Sequence, residues 1–351
     1  MLRSLSLFSG CGGLDLGLHR AGFQTVLATD SEPLCATTYR AHFPKVPFVV
    51  QRMGQLTRAT LLEHLGANAG QLDLVCGGPP CPPFSKSRFY RKDMPRALED
   101  PNGWETVNGY LDVLDWFRPR AFILENVKGL AYKIHQDALE TIIDRSEKLG
   151  YKTRWAVLNA ADYGVPQIRE RCFVVGALDG YVDFPSPTHS QRADGVALSP
   201  WVTAGDVLNQ LDTEEKACDA GHFAGGQHHK LLKEVPPGSN YLHFTAERGH
   251  PSPIFKWRSR YWSFLLKLSP ELPSWTIQAR RSNNMGPFHW RNRILRIDEI
   301  KRLQTFPDDF VLGGTIEQQW RQIGNAVPPA LAEVVGRAVA AHLTEEYRDA
   351  A

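Results

Sequence analysis

Ser4-Leu5-Ser6-Leu7-Phe8-Ser9-Gly10-Cys11-Gly12-Gly13-Leu14 runs from an apolar strand into three glycines and on into a helical segment, residues 14–21, that stops at Gly22. Glycine lets the backbone take positive φ and come close to a ligand. Glycine is also the usual residue just past a helix end. Working outward from this turn, residues 23–29 read as a second strand and 33–42 as a second helix. Strands at 47–50 and 72–76 flank a helix near 57–65. A helix at 106–117, a strand at 121–125 and a helix at 138–149 follow, then strands at 151–159 and 171–178. This alternation predicts an α/β fold: a mainly parallel twisted sheet with helices on both faces, Rossmann-like in its order. Ligands of such sheets bind beyond the carboxyl ends of the strands.

The pattern changes after about residue 183. Pro185, Pro187, Pro200, Pro236, Pro237, Pro251 and Pro253 interrupt any long element, and Gly225-Gly226 and Pro237-Gly238 mark loops. One helix is expected at 203–211, and helical periodicity returns at 297–303 and from 329 to about 348. Residues 1–184 with 321–351 therefore form one expected domain, and residues 185–320 a smaller, irregular one. No apolar run reaches the roughly 20 residues of a membrane span. The opening residues read as a strand rather than a signal peptide, because glycines and charges follow too soon.

The cysteines at 11, 35, 76, 81, 172 and 218 form no C-x-x-C pair and no zinc spacing with histidine, so no metal is expected. A reducing cytoplasm fits them and leaves a thiol free to react. The net charge of +2 is unevenly spread. Residues 248–302 hold 12 Lys/Arg against 3 Asp/Glu, which suggests a face for a polyanion. The interleaved Trp257, Tyr261, Trp262 and Phe264 either stack on that partner or form a core, and core is the favoured use.

Five segments carry candidate chemistry. The glycine turn, with Asp30 at the end of the second strand, suits an adenosine compound whose ribose meets an acid; a plain tight turn is the alternative. Gly77-Gly78-Pro79-Pro80-Cys81-Pro82-Pro83 follows a strand, and its prolines restrict the backbone around one thiol; a rigid structural loop is the alternative. Glu125-Asn126-Val127 ends another apolar strand. Gln167, Arg169 and Arg171 alternate, so in an extended chain they share a face and can grip a phosphate or steady a carboxylate. Asn325 precedes the last helix, as its cap or as a ligand contact.

These five segments, in this order, resemble the signature blocks of the DNA cytosine-5 methyltransferases. The likeness runs from Leu5 to about Val335, except for residues 183–274. It implies methyl transfer from S-adenosyl-L-methionine to carbon 5 of cytosine in double-stranded DNA, through base flipping and a covalent Cys81 intermediate. Catalytic roles fall on Cys81, Glu125, Gln167, Arg169 and Arg171, with Glu125 in its acid form meeting cytosine N3. Cofactor-binding roles fall on Phe8, Ser9, Gly10, Cys11, Gly12, Gly13, Asp30, Ser31, Gln55, Pro80, Asn325 and Val327. Arg293, Glu299 and Phe306-Pro307 resemble a block that organises the small domain. Two positions depart from the pattern: Gln55 stands where relatives usually carry an aspartate for adenine, and Asn102 where an arginine is common. The resemblance further implies a monomeric, cytoplasmic, stand-alone modification enzyme of bacterial or phage type, with a cognate restriction endonuclease as functional partner. A tRNA cytosine-5 methyltransferase lacks its expected Cys-Phe-Thr string here, and a silent DNA-binding relative would not need Cys81 and Glu125 intact.

Overall fold

The computed structural model describes residues 1–70, 72–80, 97–193, 197–213, 222–258 and 261–349, with Ala97 and residues 345–349 described by their backbone alone. The chain divides into two compact units: Met1–Asn159 with Glu170–Ser186 and Ala326–Ala351, and Ala160–Arg169 with Pro187–Asn325.

The first unit is built on a seven-stranded sheet. Its strands are β1 (Leu2–Leu7), β2 (Phe23–Asp30), β3 (Phe48–Val50), β4 (Leu74–Gly77), β5 (Ala121–Val127) and β6 (Lys152–Asn159); β7 (Gln167–Ile168) lies in the second unit, and β8 (Glu170–Ala177) returns to the sheet. The order is β3-β2-β1-β4-β5-β8-β6. The first five are parallel to one another, and β8 runs antiparallel to both neighbours. Helices α1 (Gly13–Arg20), α2 (Pro33–His42), α3 (Arg58–Leu65), α4 (Pro101–Phe117) and α5 (Gln136–Lys148) connect these strands.

Strand alternation sends Leu5, Leu7, Val75, Phe122 and Leu124 into one core, packed with Leu61 of α3, Leu111 and Leu114 of α4 and Ile142 of α5. The other face receives Ser4 and Ser6, both fully buried, and carries α1. A Cβ on Gly17 would overlap Pro329 O and Ala332 Cβ, so glycine is what lets α1 lie against the carboxyl-terminal helix. Helix α4 begins before the expected residue 106. Asp100 caps it, accepting from Asn102 N at 2.9 Å, and Pro101 supplies a favoured first residue.

The second unit is mostly irregular. Besides β7 it contains β9 (His189–Ser190), β10 (Ser199–Pro200), β11 (Ser274–Trp275), α6 (Ala204–Leu208), α7 (Ile297–Leu303) and α8 (Ile316–Asn325); α9 (Pro329–Asp349) belongs to the first unit. Thr203 and Asp206 close a capping box on α6. Buried Glu299 takes both arms of Arg293, at 2.7 and 2.8 Å, and Arg296 N at 2.7 Å. Helix α8 was not expected. Its signals were present: Thr315 and Gln318 bond reciprocally, and Ile316, Trp320 and Ile323 recur at helical spacing.

Three expectations about this unit change. Residues 160–169 join it because β7 pairs with β11, and residues 321–325 join it as the last turns of α8. The favoured core role of the aromatics also fails for three of them: Trp257, Tyr261 and Trp262 are exposed, Trp262 resting edge-on against Trp275, whereas Phe264 joins a cluster with Tyr241, Phe255 and His228. Much of the basic segment folds inward. Arg281, Arg291, Arg293, Lys301 and Arg302 are paired with carboxylates, and Lys267 with Asn292. Arg248, Lys256, Arg258 and Arg280 stay exposed.

Candidate active site

A cavity of about 280 Å³ opens at the carboxyl ends of β1, β2 and β3. Phe8, Thr29, Asp30, Ser31, Pro80 and the start of α4 line it, with Gln51, Arg52, Met53 and Leu56 on the wall after β3. Phe8 holds φ at 53°, a conformation that costs a residue with a side chain roughly 1–3 kcal/mol. Strain of this kind collects where a side chain must face a ligand. Gly10 also has positive φ, and a Cβ there would stand in open space. Asp30 accepts from Gly10 N and Glu32 N, both at 2.9 Å. Two bonds leave a carboxylate with capacity for a ribose diol. Burial pushes the Asp30 carboxyl up, against the backbone hydrogen bonds that lower it. An aromatic face, a carboxylate and open glycine backbone fit a nucleoside-bearing ligand.

The other turn residues serve the turn itself. Ser9 Oγ bonds Ser6, and Gly12 N donates to Ser9 O. Cys11 is buried, and burial pushes its thiol up to about 12. Gly13 opens α1. Gln55, expected against adenine, is exposed and lies outside the cavity lining. The short turn Met53–Gln55 directs Met53 inward and Gln55 outward. Asn102 lines the cavity, and its backbone N–H bonds the helix cap.

Glu125 sits two register pairs from Arg171, since β5 and β8 pair Glu125 with Phe173 and Val127 with Arg171. This diagonal puts both side chains on one face. Arg171 Nε lies 2.9 Å from Glu125 Oε1, and both residues are buried. Glu125 Oε2 lies so near Gly78 that a Cβ there would come within 2.7 Å. Asn126 Nδ2 donates to Pro79 O at 3.1 Å, and Asn126 Oδ1 accepts from Val127 N at 2.8 Å. The end of β5 is thus fastened to the Gly78-Pro79-Pro80 segment. Cys81, the next residue, lies outside the described residues. Gly78 and Asn126 were not singled out from the sequence.

The alternating trio is split. Gln167 is fully buried in the second unit, donating to Leu303 O and accepting from Ile277 N. Arg169 donates to Ile277 O at 3.0 Å and Gly324 O at 2.8 Å. It is therefore Arg171, not Arg169, that steadies Glu125. The strand breaks between β7 and β8, so a shared face is not kept. Asn325 ends α8 instead of capping α9, which starts at Pro329, and Val327 is buried in the first unit. Burial also pushes the thiols of Cys76 and Cys172 up, the latter to about 12. These are poor nucleophiles.

A family model described as C-5 cytosine-specific DNA methylase matches residues 2–341. Type II methyltransferase M.SacI of Streptomyces achromogenes is 41% identical, with 95% of this chain and 92% of that protein covered. Type II methyltransferase M1.HphI of Haemophilus parahaemolyticus is 32% identical over 98% and 88% of the two chains. Among solved structures, a protein described as a DNA modification methyltransferase encoded within an E. coli prophage aligns with a TM-score of 0.68 at 23% identity, covering 98% of this chain and 100% of that one. The S. pombe Dnmt2 methyltransferase aligns at 0.65 and 16%, covering 98% and 99%. The two structures share the fold.

Proposed function

Because the chain belongs to the C-5 cytosine-specific DNA methylase family, we propose that it methylates carbon 5 of cytosine within a specific double-stranded DNA sequence, with Cys81 as nucleophile. The observation that carries this reading is the buried Glu125–Arg171 pair, set against the Gly78-Pro79-Pro80 segment that leads into Cys81. Phe8, Asp30, Ser31, Met53, Leu56 and Pro80 would hold S-adenosylmethionine. That group, when bound, supplies an activated methyl for carbon 5.

The chain's own residues supply the rest. Carbon 5 of cytosine is weakly nucleophilic. The Cys81 thiolate adds to carbon 6, its sulfur lone pair forming the new bond, and the ring becomes an enamine whose carbon 5 carries electron density. The electron pair displaced toward N3 is met by a proton that Glu125 holds there. Arg171, 2.9 Å from Oε1, fixes the carboxyl group in direction. After transfer, a base takes the carbon 5 proton, the carbon–sulfur bond breaks as Cys81 leaves as thiolate, and the N3 proton returns to Glu125. Attack from above the ring requires the cytosine to leave the stack, at a few kcal/mol. Arg248, Lys256 and Arg258, with exposed Trp257, Tyr261 and Trp262, are suited to hold the duplex through phosphate contacts and stacking. The relatives' name, Type II methyltransferase, supports a modification enzyme; that it acts as a cytoplasmic monomer beside a restriction endonuclease is part of the same proposal.

The test is transfer of tritiated methyl to duplex DNA of varied sequence and, in parallel, to tRNA. Label recovered as 5-methylcytosine from the DNA is the expected result. Label confined to tRNA, or none in either, overturns the reading.

A further inference from the structure

Beneath the glycine turn lies a carboxylate that the motif reading passed over. Asp15, in the first turn of α1, is fully buried. Ser6 Oγ donates to its Oδ2 at 3.0 Å, and Thr25 Oγ1 and Tyr39 Oη donate to its Oδ1 at 3.2 and 2.9 Å. Two of those donors receive a further hydroxyl: Ser9 Oγ donates to Ser6 Oγ at 2.8 Å, and Ser4 Oγ to Thr25 Oγ1 at 3.3 Å. A hydroxyl has one proton to give. Since Ser6 gives its proton to Asp15, Ser9 can give its own to Ser6. Ser9 Oγ then presents lone pairs to Thr29 N, which donates to it at 3.2 Å, while Ser9 N donates to Thr29 O at 2.9 Å. These two rungs join the turn to the end of β2, where Thr29, Asp30 and Ser31 line the cavity with Phe8. The second arm is Tyr39. Its ring abuts the turn, where a Cβ on Gly12 would stand 3.2 Å from Tyr39 Cδ2.

We infer that Asp15 is a positioning residue for the methyl-donor pocket: its ionised carboxylate orients the Ser6–Ser9 chain and Tyr39, and through them holds the glycine turn against β2. This rests on the donor reading of the cavity. A protonated Asp15 would itself donate, and one of the three hydroxyls would have to turn around. The arm that turned would no longer point its protons inward.

The groups facing Asp15 are Cys11 on the turn, which Asp30 also acts on, Tyr39 on α2 and Cys76 on β4. Helix α9 brings Glu333, paired with Arg337, and the last turn of α1 carries His19 and Arg20. The three hydroxyl donors are neutral. Burial pushes Asp15 up to about 6, against those hydrogen bonds. An acid raised in the fold costs stability as it ionises: stability falls as pH rises from the ordinary carboxylate range to about 6, and is level above. The carboxylate thus works against the stability of the fold while it orders the pocket. Those two effects can be separated.

The test uses the full chain and S-adenosylhomocysteine, titrated by calorimetry between pH 5 and 8, with melting recorded at each pH. Wild-type affinity should fall about tenfold toward pH 5, as the ionised fraction falls. Asp15→Asn should bind about tenfold more weakly at pH 7.5, lose most of the pH dependence, keeping only what Asp30 contributes, and melt no lower than wild type. Ser6→Ala, which cuts the chain with Asp15 intact, should likewise weaken and flatten the profile. Variants that track the wild-type profile overturn the inference, as does Asp15→Asn losing melting temperature and affinity together. A wild type that binds at no pH sinks the donor reading itself.

Discussion

Arg169 and Arg171 stand two residues apart and serve different units. Arg171 lies in the sheet unit, 2.9 Å from the carboxylate of Glu125. Arg169 lies in the irregular unit and ties two backbone carbonyls, Ile277 O and Gly324 O. The contrast extends to the regions around them. The sheet supplies its own backbone hydrogen bonds, so polar side chains at strand ends take other partners: Asp30, the last residue of β2, lines the cavity, and Glu125, near the end of β5, pairs with Arg171. The second unit has few regular elements among its described residues. Its backbone groups are satisfied by side chains instead, by Gln167, Arg169, Arg296 and Gln304. Polar residues at these strand ends stand beside the candidate site, and many in the second unit satisfy the backbone of their own fold.

The sharpest way to break this contrast is to remove one polar group from each side. Glu125→Gln should lower the transfer rate about 10²–10⁴-fold while S-adenosylhomocysteine affinity is unchanged. Arg169→Gln should leave donor affinity intact and instead destabilise the second unit by about 2–5 kcal/mol, as removing charged hydrogen bonds to buried carbonyls does. Steady-state kinetics, calorimetry and denaturant melts of both variants decide it. Equal loss of rate and affinity in Glu125→Gln would make Glu125 structural, and an undiminished stability of Arg169→Gln would erase the distinction.

A smaller effect sharpens the contrast in pH. Burial pushes His289, beside Glu299 and Asp212, down to about 4. A base lowered in the fold is left neutral while the unfolded chain takes its proton. The second unit is then fully stable above about pH 6.5 and loses on the order of 3 kcal/mol as pH falls toward 4. Asp15 gives the first unit the opposite sign over nearly the same range. Hydrogen exchange read unit by unit should show protection falling with acid in the second unit, and His289→Asn should remove that fall. A His289→Asn variant with the wild-type acid response would assign it elsewhere.

Much of the first unit was legible in the sequence, because strand, glycine turn and helix each leave a local signature. Residues 4–22 carry all three, and the Glu125 motif and the Gly78-Pro79-Pro80 segment stand at or just after strands that periodicity locates. What failed depends on direction rather than type. Gln55 was placed by its neighbours in the chain, but a short helical turn points it outward. The shared face of Gln167, Arg169 and Arg171 assumed one continuous strand, and the chain breaks between β7 and β8. An acid in the first turn of a helix reads as an ordinary partner of the helix dipole; only the fold shows Asp15 beneath the turn, with three hydroxyls aimed at it. Charge counting misread residues 248–302 in part, because a sequence does not distinguish an arginine paired inside from one held out to a polyanion.

The central claim is that Cys81 bonds to carbon 6 of a cytosine held beside Glu125. Replacing the target base by 5-fluorocytosine in a substrate duplex removes the proton whose loss would release the enzyme. With S-adenosylmethionine present, the wild-type protein should form an adduct with that duplex that survives denaturation and maps by mass to Cys81, and Cys81→Ser should form none. A wild type that methylates the normal duplex yet forms no adduct, or a Cys81→Ser variant that still forms one, would contradict the account.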